Sequence, residues 1–327
     1  MSMNPLDKPP VQLGLALLTV LVLPLVLKSG ILATEILIFA MVVAACNLLL
    51  GYTGLLSFGQ GIFFGIGTYA AGICLTRWSI PVPVVLGGAA LLGALTATLV
   101  GWLSIRRQGV YFVMLTLAFS QLFYFVAYTF SDLTGGDNGL LGVPRPSVGG
   151  AALNTPWAYY TFVAVCFVAV FALLVMVTQS TFGRTLIAIR ENEGRAAAIG
   201  FPTRLFKIEA FAISGAVTAF SGALHAMLIG VAPLSNIEYH TSELILIMTI
   251  IGGSSSLFGS VLGAGFYLLL ADALSTVWPR WLLLLGLVLV TVALFLQRGL
   301  WGLVERGYDL IFRRGRSIDS ETPAKEH

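Results

Sequence analysis

Apolar residues in this chain come in long, nearly unbroken runs rather than at strand-like or amphipathic spacing. The runs fall near 11–27, 31–50, 54–76, 82–104, 110–130, 158–178, 207–230, 242–257, 259–277 and 281–297. A helix needs roughly 20 apolar residues to cross about 30 Å of hydrocarbon. The pattern therefore predicts an all-α polytopic membrane protein of about ten transmembrane helices. Most polar breaks are short, and the one between the eighth and ninth runs is only Gly252-Gly253-Ser254-Ser255-Ser256. Two are long: 131–157, rich in glycine and proline, and 179–206, rich in arginine. Lys8 ahead of the run Val11–Leu27 has the outline of a secretory leader. The run is long, however, and Leu27-Lys28-Ser29-Gly30 offers no small-x-small cleavage pattern, so it reads as a retained first span.

Composition agrees with lipid as the solvent. Hydrophobic residues make up 57% of 327 and charged residues 10%, with a mean hydropathy of +0.93. Soluble domains carry about 25% charged residues. The net charge of +3 is spread over loops and the tail, which argues against a nucleic-acid partner. Cys46, Cys74 and Cys166 sit inside apolar runs without metal-ligand spacing, as small buried hydrophobes do.

Charge also orients the chain. With ten spans and both termini in the cytoplasm, fourteen of the 18 basic residues fall on the cytoplasmic side. They are Lys8, Arg106, Arg107, Arg184, Arg190, Arg195, Arg204, Lys207, Arg298, Arg306, Arg313, Arg314, Arg316 and Lys325. Only Lys28, Arg77, Arg145 and Arg280 fall outside, as the positive-inside rule requires. The acids Glu35, Glu209, Glu243 and Asp272 lie near predicted span ends, leaving none at mid-membrane. An ion-driven transporter usually keeps ionisable groups or broken helices at that depth, so the driving energy is expected from outside this chain. The membrane domain covers 1–306; the charged tail 307–327 reads as a disordered cytoplasmic extension without assigned function.

Two stretches are rich in glycine, Gly51 to Tyr69 and Phe258 to Tyr267, each with a Gly-x-x-x-Gly pair (Gly61/Gly65 and Gly259/Gly263). Glycine lets helix backbones approach closely where lipid supplies no hydrophobic force. The alternative reading is a polar path, with Asn47, Ser57, Gln60 and Thr68 as candidates to line it. The two stretches occupy corresponding places in two five-helix repeats, which an odd helix number would relate by inversion.

The loop 179–206 is predicted to hold a short helix from about 184 to 199. Its alanines favour the helix, Gly200 suits a left-handed cap and Pro202 blocks continuation. The run from Gly183-Arg184 through Ala188-Ile189-Arg190-Glu191-Asn192-Glu193, Ala197 and Ile199-Gly200 to Lys207 resembles the coupling loop of LivM-type permeases, subunits of branched-chain amino-acid importers of the ATP-binding-cassette class. Gly51-Tyr52-Thr53-Gly54 with Leu56-Ser57-Phe58-Gly59-Gln60-Gly61 is similar to that family's third span. Thr134-Gly135-Gly136-Asp137-Asn138-Gly139-Leu140 with Gly142-Val143-Pro144 resembles its main periplasmic loop. Ile251-Gly252-Gly253, Phe258-Gly259 and Gly263-Ala264 resemble its late glycine-rich segment. The resemblance runs from about residue 34 to 306, with Glu193-Gly194-Arg195 where Glu-Ala-Ala is often seen.

The resemblance implies a half-pore in a bacterial inner membrane. Its partners would be a sister permease of LivH type, two ATP-binding-cassette ATPase subunits and a periplasmic substrate-binding protein. This chain carries no Gly-x-x-x-x-Gly-Lys-Ser/Thr loop, so ATP and magnesium belong to the partners; no catalytic or metal-binding role is expected here. Arg184, Arg190, Glu191, Glu193, Ala197 and Gly200 are the implied ATPase-coupling residues. Gly136, Asp137 and Asn138 are the candidate contacts for the binding protein, and a calcium loop at Asp137 lacks the ligand spacing. The implied cargo is a branched-chain amino acid; urea, short amides and aromatic acids travel through the same architecture. The rival class is a secondary transporter working alone. A membrane enzyme is disfavoured, because His225, His240 and the acids do not cluster.

Overall fold

The structure, a computed structural model, describes residues 9–313 except 79, 108, 146, 149–150, 153–154, 255 and 296–298. Lys8, Ser255, Arg298 and the tail from Arg314 through Lys325 therefore lie outside the described residues.

Helix α1 (Pro9–Val26) is followed by α2 (Gly30–Asn47), which Ser29 caps by accepting from the Leu32 amide at 3.4 Å. A π-helical turn, Leu48–Thr53, continues α2 until Gly54, whose left-handed φ of 73° ends it. The predicted third span begins later than expected: residues 54–59 are irregular and α3 runs Gln60–Arg77. Next come α4 (Val82–Ser104) and α5 (Val110–Thr129). The long break then holds a short α6 (Ser131–Thr134), a 3-10 turn at Gly136–Asn138, β1 (Leu140–Leu141) and a β2 (Ser147–Val148) to β3 (Ala151–Ala152) hairpin. Thr155 caps α7 (Pro156–Gln179).

The arginine-rich break departs from expectation. In place of one helix over 184–199 there are two, α8 (Thr181–Glu191) and α9 (Glu193–Ala198). Asn192 splits them: its backbone is extended and its side chain accepts from the Arg195 amide at 2.9 Å, so it caps α9 instead of continuing α8. The chain goes on through α10 (Thr203–Ile229), β4 (Val231–Ala232), a 3-10 turn at Leu234–Ile237, α11 (Tyr239–Gly252), α12 (Leu257–Val277), α13 (Trp281–Phe295) and α14 (Gly299–Arg313). The domain boundary expected at 306 falls inside α14.

Among the described residues, seven helices are long and apolar enough to cross a membrane: α1, α2 with its π turn, α4, α5, α7, α10 and α12. The other three predicted spans are α3, an unbroken but glycine-rich helix, and the shorter apolar helices α11 and α13. Ahead of α3 lies the irregular stretch 54–59, and ahead of α11 the stretch 230–238, which is not α-helical and holds β4 and the 3-10 turn. Non-helical backbone at membrane depth is tolerated only where protein surrounds it, and α3 and α11 are both flanked by other helices of the bundle.

Helices α2, α3 and α10 form the centre, and α1, α5 and α13 the rim. Glycines set the spacing. A Cβ at Gly67 would collide with the Ala219 carbonyl, one at Gly222 with the Phe64 carbonyl, and one at Gly263 with the Met248 carbonyl. The close-packing reading of the two glycine-rich stretches is thus what the backbone shows. Three of the main pairings also repeat, while the α2–α7 pairing has no comparable counterpart between α10 and α1. When α1–α5 are exchanged in order for α7, α10, α11, α12 and α13, α2 with α12 maps to α10 with α4. Likewise α3 with α4 maps to α11 with α12, and α3 with α10 to α11 with α2. These three pairings match two five-helix repeats in part.

Candidate functional site

At the arginine-rich end, α8 presents Gly183, Leu186 and Ile189 to the bundle at three-residue spacing, leaving Arg184, Ile187, Ala188 and Glu191 exposed. The inner face is seated by Phe182 stacked on Phe206 of α10, with centroids 5.6 Å apart. Two polar ties fix the element to the spans. The Arg190 guanidinium donates to the Gly51 carbonyl in the π-helical turn, and its stem lies against Gly54. Glu193 pairs with Lys207 of α10 at 2.6 Å. Among the described residues Lys207 is the only buried charged side chain. The polar groups of Arg190 and Glu193 are therefore engaged within this chain, whereas Arg184, Glu191, Ala197 and Gly200 stand on the outer surface with Arg195 and Ile199.

The π-helical turn is itself a junction. Asn47 donates to the Ser256 carbonyl at 2.9 Å and to Ser260 Oγ at 3.1 Å. Gln12 of α1 donates to Ser256 Oγ at 3.2 Å. A Cβ at Gly51 would strike both Asn47 and the Ser254 carbonyl. Arg190 thus touches the same turn that packs on the α11–α12 break.

The polar candidates along α3 lie in a seam against α10. Gln60 donates to Ser214 at 3.0 Å and accepts from Thr218 at 2.8 Å; Ser214 in turn donates to the Ala45 carbonyl at 2.7 Å. Thr68 donates to the Phe64 and Gly222 carbonyls at 2.8 and 3.1 Å and accepts from Asn236 at 3.3 Å. Asn236 also meets His225 Nδ1 at 3.3 Å. Ser57 stays within the irregular turn, accepting from the Gly59 amide. Gln60 and Thr68 thus share one seam, with Asn47 apart at the α12 side. Sequence reasoning missed their partners, Ser214, Thr218 and Asn236; a row of small hydroxyl residues on α10 at four-residue spacing, Ser214 and Thr218, was the available signal.

At the opposite end, Asp137 and Asn138 are exposed, while Gly136 is buried with its amide donating to Thr134 Oγ1 at 3.2 Å. Gly136 shapes the turn that carries the other two. Among the described residues no group of three or more His, Cys, Asp or Glu is placed to hold a metal ion.

Residues 30–293 match the family described as branched-chain amino acid transport system / permease component. The high-affinity branched-chain amino acid transport system permease protein LivM of Escherichia coli (strain K12) is 26% identical over 291 residues, 82% of this chain and 68% of the relative. The protein of the same name from Salmonella typhimurium (strain LT2) is 26% identical over 292 residues, with the same coverage. The autoinducer 2 import system permease protein LsrC of Escherichia coli O9:H4 (strain HS) is 29% identical over 128 residues, 37% of each chain. No solved structure matches.

Proposed function

This chain belongs to the family of permease components of branched-chain amino acid transport systems, and on that premise we propose that it is one half-pore of an ATP-driven importer of branched-chain amino acids in a bacterial inner membrane. Its partners in this reading are a sister permease of LivH type, two ATPase subunits that hold ATP and magnesium, and a periplasmic binding protein. The arginine-rich end faces the cytoplasm, with both termini.

The observation that carries the proposal is the α8–α9 element. It is a polar helix pair lying outside the apolar spans, yet tied to α10 by Lys207–Glu193 and to the π-helical turn by Arg190. A merely solvated connector has no need of a buried charge. Seated this way, the exposed face of Arg184, Glu191, Ala197 and Gly200 meets an ATPase groove, and the inner face passes its displacement to the spans. Closure of the ATPases on ATP then biases the bundle between outward- and inward-open states, by as much as the two states differ in affinity for the closed pair. Asn47, Ser57, Gln60 and Thr68 act as fasteners in the wall of the route, since their hydrogen bonds run to neighbouring backbone and side chains. A second cargo reading is supported by the LsrC relative, similar over 37% of this chain, whose name records import of autoinducer 2.

The test is co-purification from mild detergent. A second permease and ATPase subunits should accompany the tagged chain, with hydrolysis that rises on adding a binding protein loaded with leucine, isoleucine or valine. A lone chain that moves solute down an ion gradient would overturn the proposal in favour of a secondary transporter. Glu191→Arg should leave insertion intact and uncouple uptake; normal uptake would remove Glu191 from the groove contact.

A further inference from the structure

Each five-helix half has a stretch that is not α-helical after its second helix, and the two stretches are held by different elements. The break after α2, residues 48–59, is gripped by α8 through Arg190. The break after α10, residues 230–238, is gripped too, by the loop between α5 and α7. There β1 pairs antiparallel with β4, Leu140 opposite Ala232 and Leu141 opposite Val231. The Val143 amide adds a bond to the Gly230 carbonyl at 3.0 Å. Gly139, at a φ of 67°, lies so close to the Ala232–Pro233 backbone that any side chain would push the strands apart. Leu140 also packs into a small apolar cluster of Tyr69, Ala127, Leu234 and Ile237.

The grip reaches further in. Just beyond β4, Ile237 seats on Gly65 of α3, and Asn236 bonds to Thr68 of α3 and to His225 of α10. Anything that displaces β1 therefore displaces the α10–α11 break and the middle of α3. The outer part of the same loop is anchored separately. Arg77 donates to the Asp132 carbonyl, and Thr134 donates to the Ala127 carbonyl at 2.7 Å. This leaves Asp132, Leu133, Asp137 and Asn138 exposed on one rim.

We propose that this loop is an outer coupling element, the counterpart at the opposite end of α8: the binding protein docks on the rim, and the β1–β4 pair carries its pull to the α10–α11 break. The docking face it fits offers basic groups to Asp132 and Asp137 around an apolar contact for Leu133. The inference rests on the importer reading and adds the route by which a loaded binding protein is sensed.

The experiment uses the complete importer in lipid nanodiscs, with binding-protein affinity, basal ATP hydrolysis and stimulated hydrolysis measured separately. Gly139→Val should wedge the strands apart. Basal hydrolysis and binding-protein affinity should stay near the unaltered values, while the stimulated increment falls about tenfold, within the usual range of coupling between sites. Loss of basal hydrolysis would report misfolding. A Gly-Ser insertion between Asn138 and Gly139 then decides, because it leaves the β1–β4 pair intact and slackens only its link to the rim. The same loss of stimulation is expected from the insertion. Full stimulation in either well-assembled variant overturns the proposal. Failure of the unaltered chain to recruit ATPase subunits is a different result, and it overturns the importer reading itself.

Discussion

Gly67 and Gly87 are both glycines inside apolar helices, and they stand at opposite extremes. Around Gly67 the Ala219 backbone leaves no space for a methyl group, whereas Gly87 on α4 has nothing within 4 Å of where one would sit. Gly67→Ala should therefore lower the thermal midpoint in detergent, at a cost at or beyond the usual 1–3 kcal/mol (roughly) for overpacking, because rigid backbone is what gives way. Gly87→Ala should leave the midpoint unchanged or raise it slightly, since it removes only chain freedom. Equal effects would mean that the α3–α10 approach is looser than described. Gln60→Leu removes the bonds to Ser214 and Thr218. Interhelical bonds in membranes average about 0.6 kcal/mol each, so a loss of about 1 kcal/mol is expected, with the KM for transport unchanged. A strongly raised KM would place the amide against the solute instead. At this scale the sequence showed which residues are small or polar. It did not show their partners, because Ser214, Asn236 and Ser256 lie far along the chain from the groups they meet.

At the scale of elements, the spans were legible because lipid demands a continuous apolar run, and the ends of α4, α5 and α7 fall within a few residues of the predicted ones. What periodicity does not report is a helix that stops for a local reason. Asn192 splits the coupling segment because its side chain competes for a backbone amide. Gly54 ends the π-helical turn several residues before α3 begins. The tie between elements gives a prediction. Lys207 is 7% exposed on its side chain and Glu193 30%. Lys207→Glu should destabilise the seating of α9 by about 3 kcal/mol, the low end for breaking a buried pair because Glu193 keeps contact with water. Uptake should fall while the protein still reaches the membrane. Adding Glu193→Lys should restore part of it, and no restoration would show that the two side chains do not act as a pair.

For the whole molecule, the excess of basic residues at one end predicts an orientation that can be read chemically. Single cysteines replacing Arg106 or Arg195, in a background lacking Cys46, Cys74 and Cys166, should react with an impermeant maleimide only after the membrane is opened. Cysteines replacing Asp137 or Arg280 should react in spheroplasts left intact. The reverse pattern would invert the assignment of coupling and docking ends. The two-repeat plan was visible in the sequence only as a faint echo between glycine-rich stretches. In the structure three helix pairings match it and the α2–α7 pairing does not, and such pairing is a property that sequence similarity between halves need not preserve.

The glycine contacts between α3 and α10 bear on mechanics. Side chains that interdigitate can slide and re-pack, but two backbones touching through Gly67 and Gly222 have no compliant layer between them. The pair is better compared to a laminated beam than to two rods, stiff against bending along its shared length and hinged only where the lamination stops. The start of α3 at Gln60 and the end of α10 at Ile229 mark those two stops. A push at one end of the shared length would therefore reach its other end with little loss, as a rotation of the two helices together.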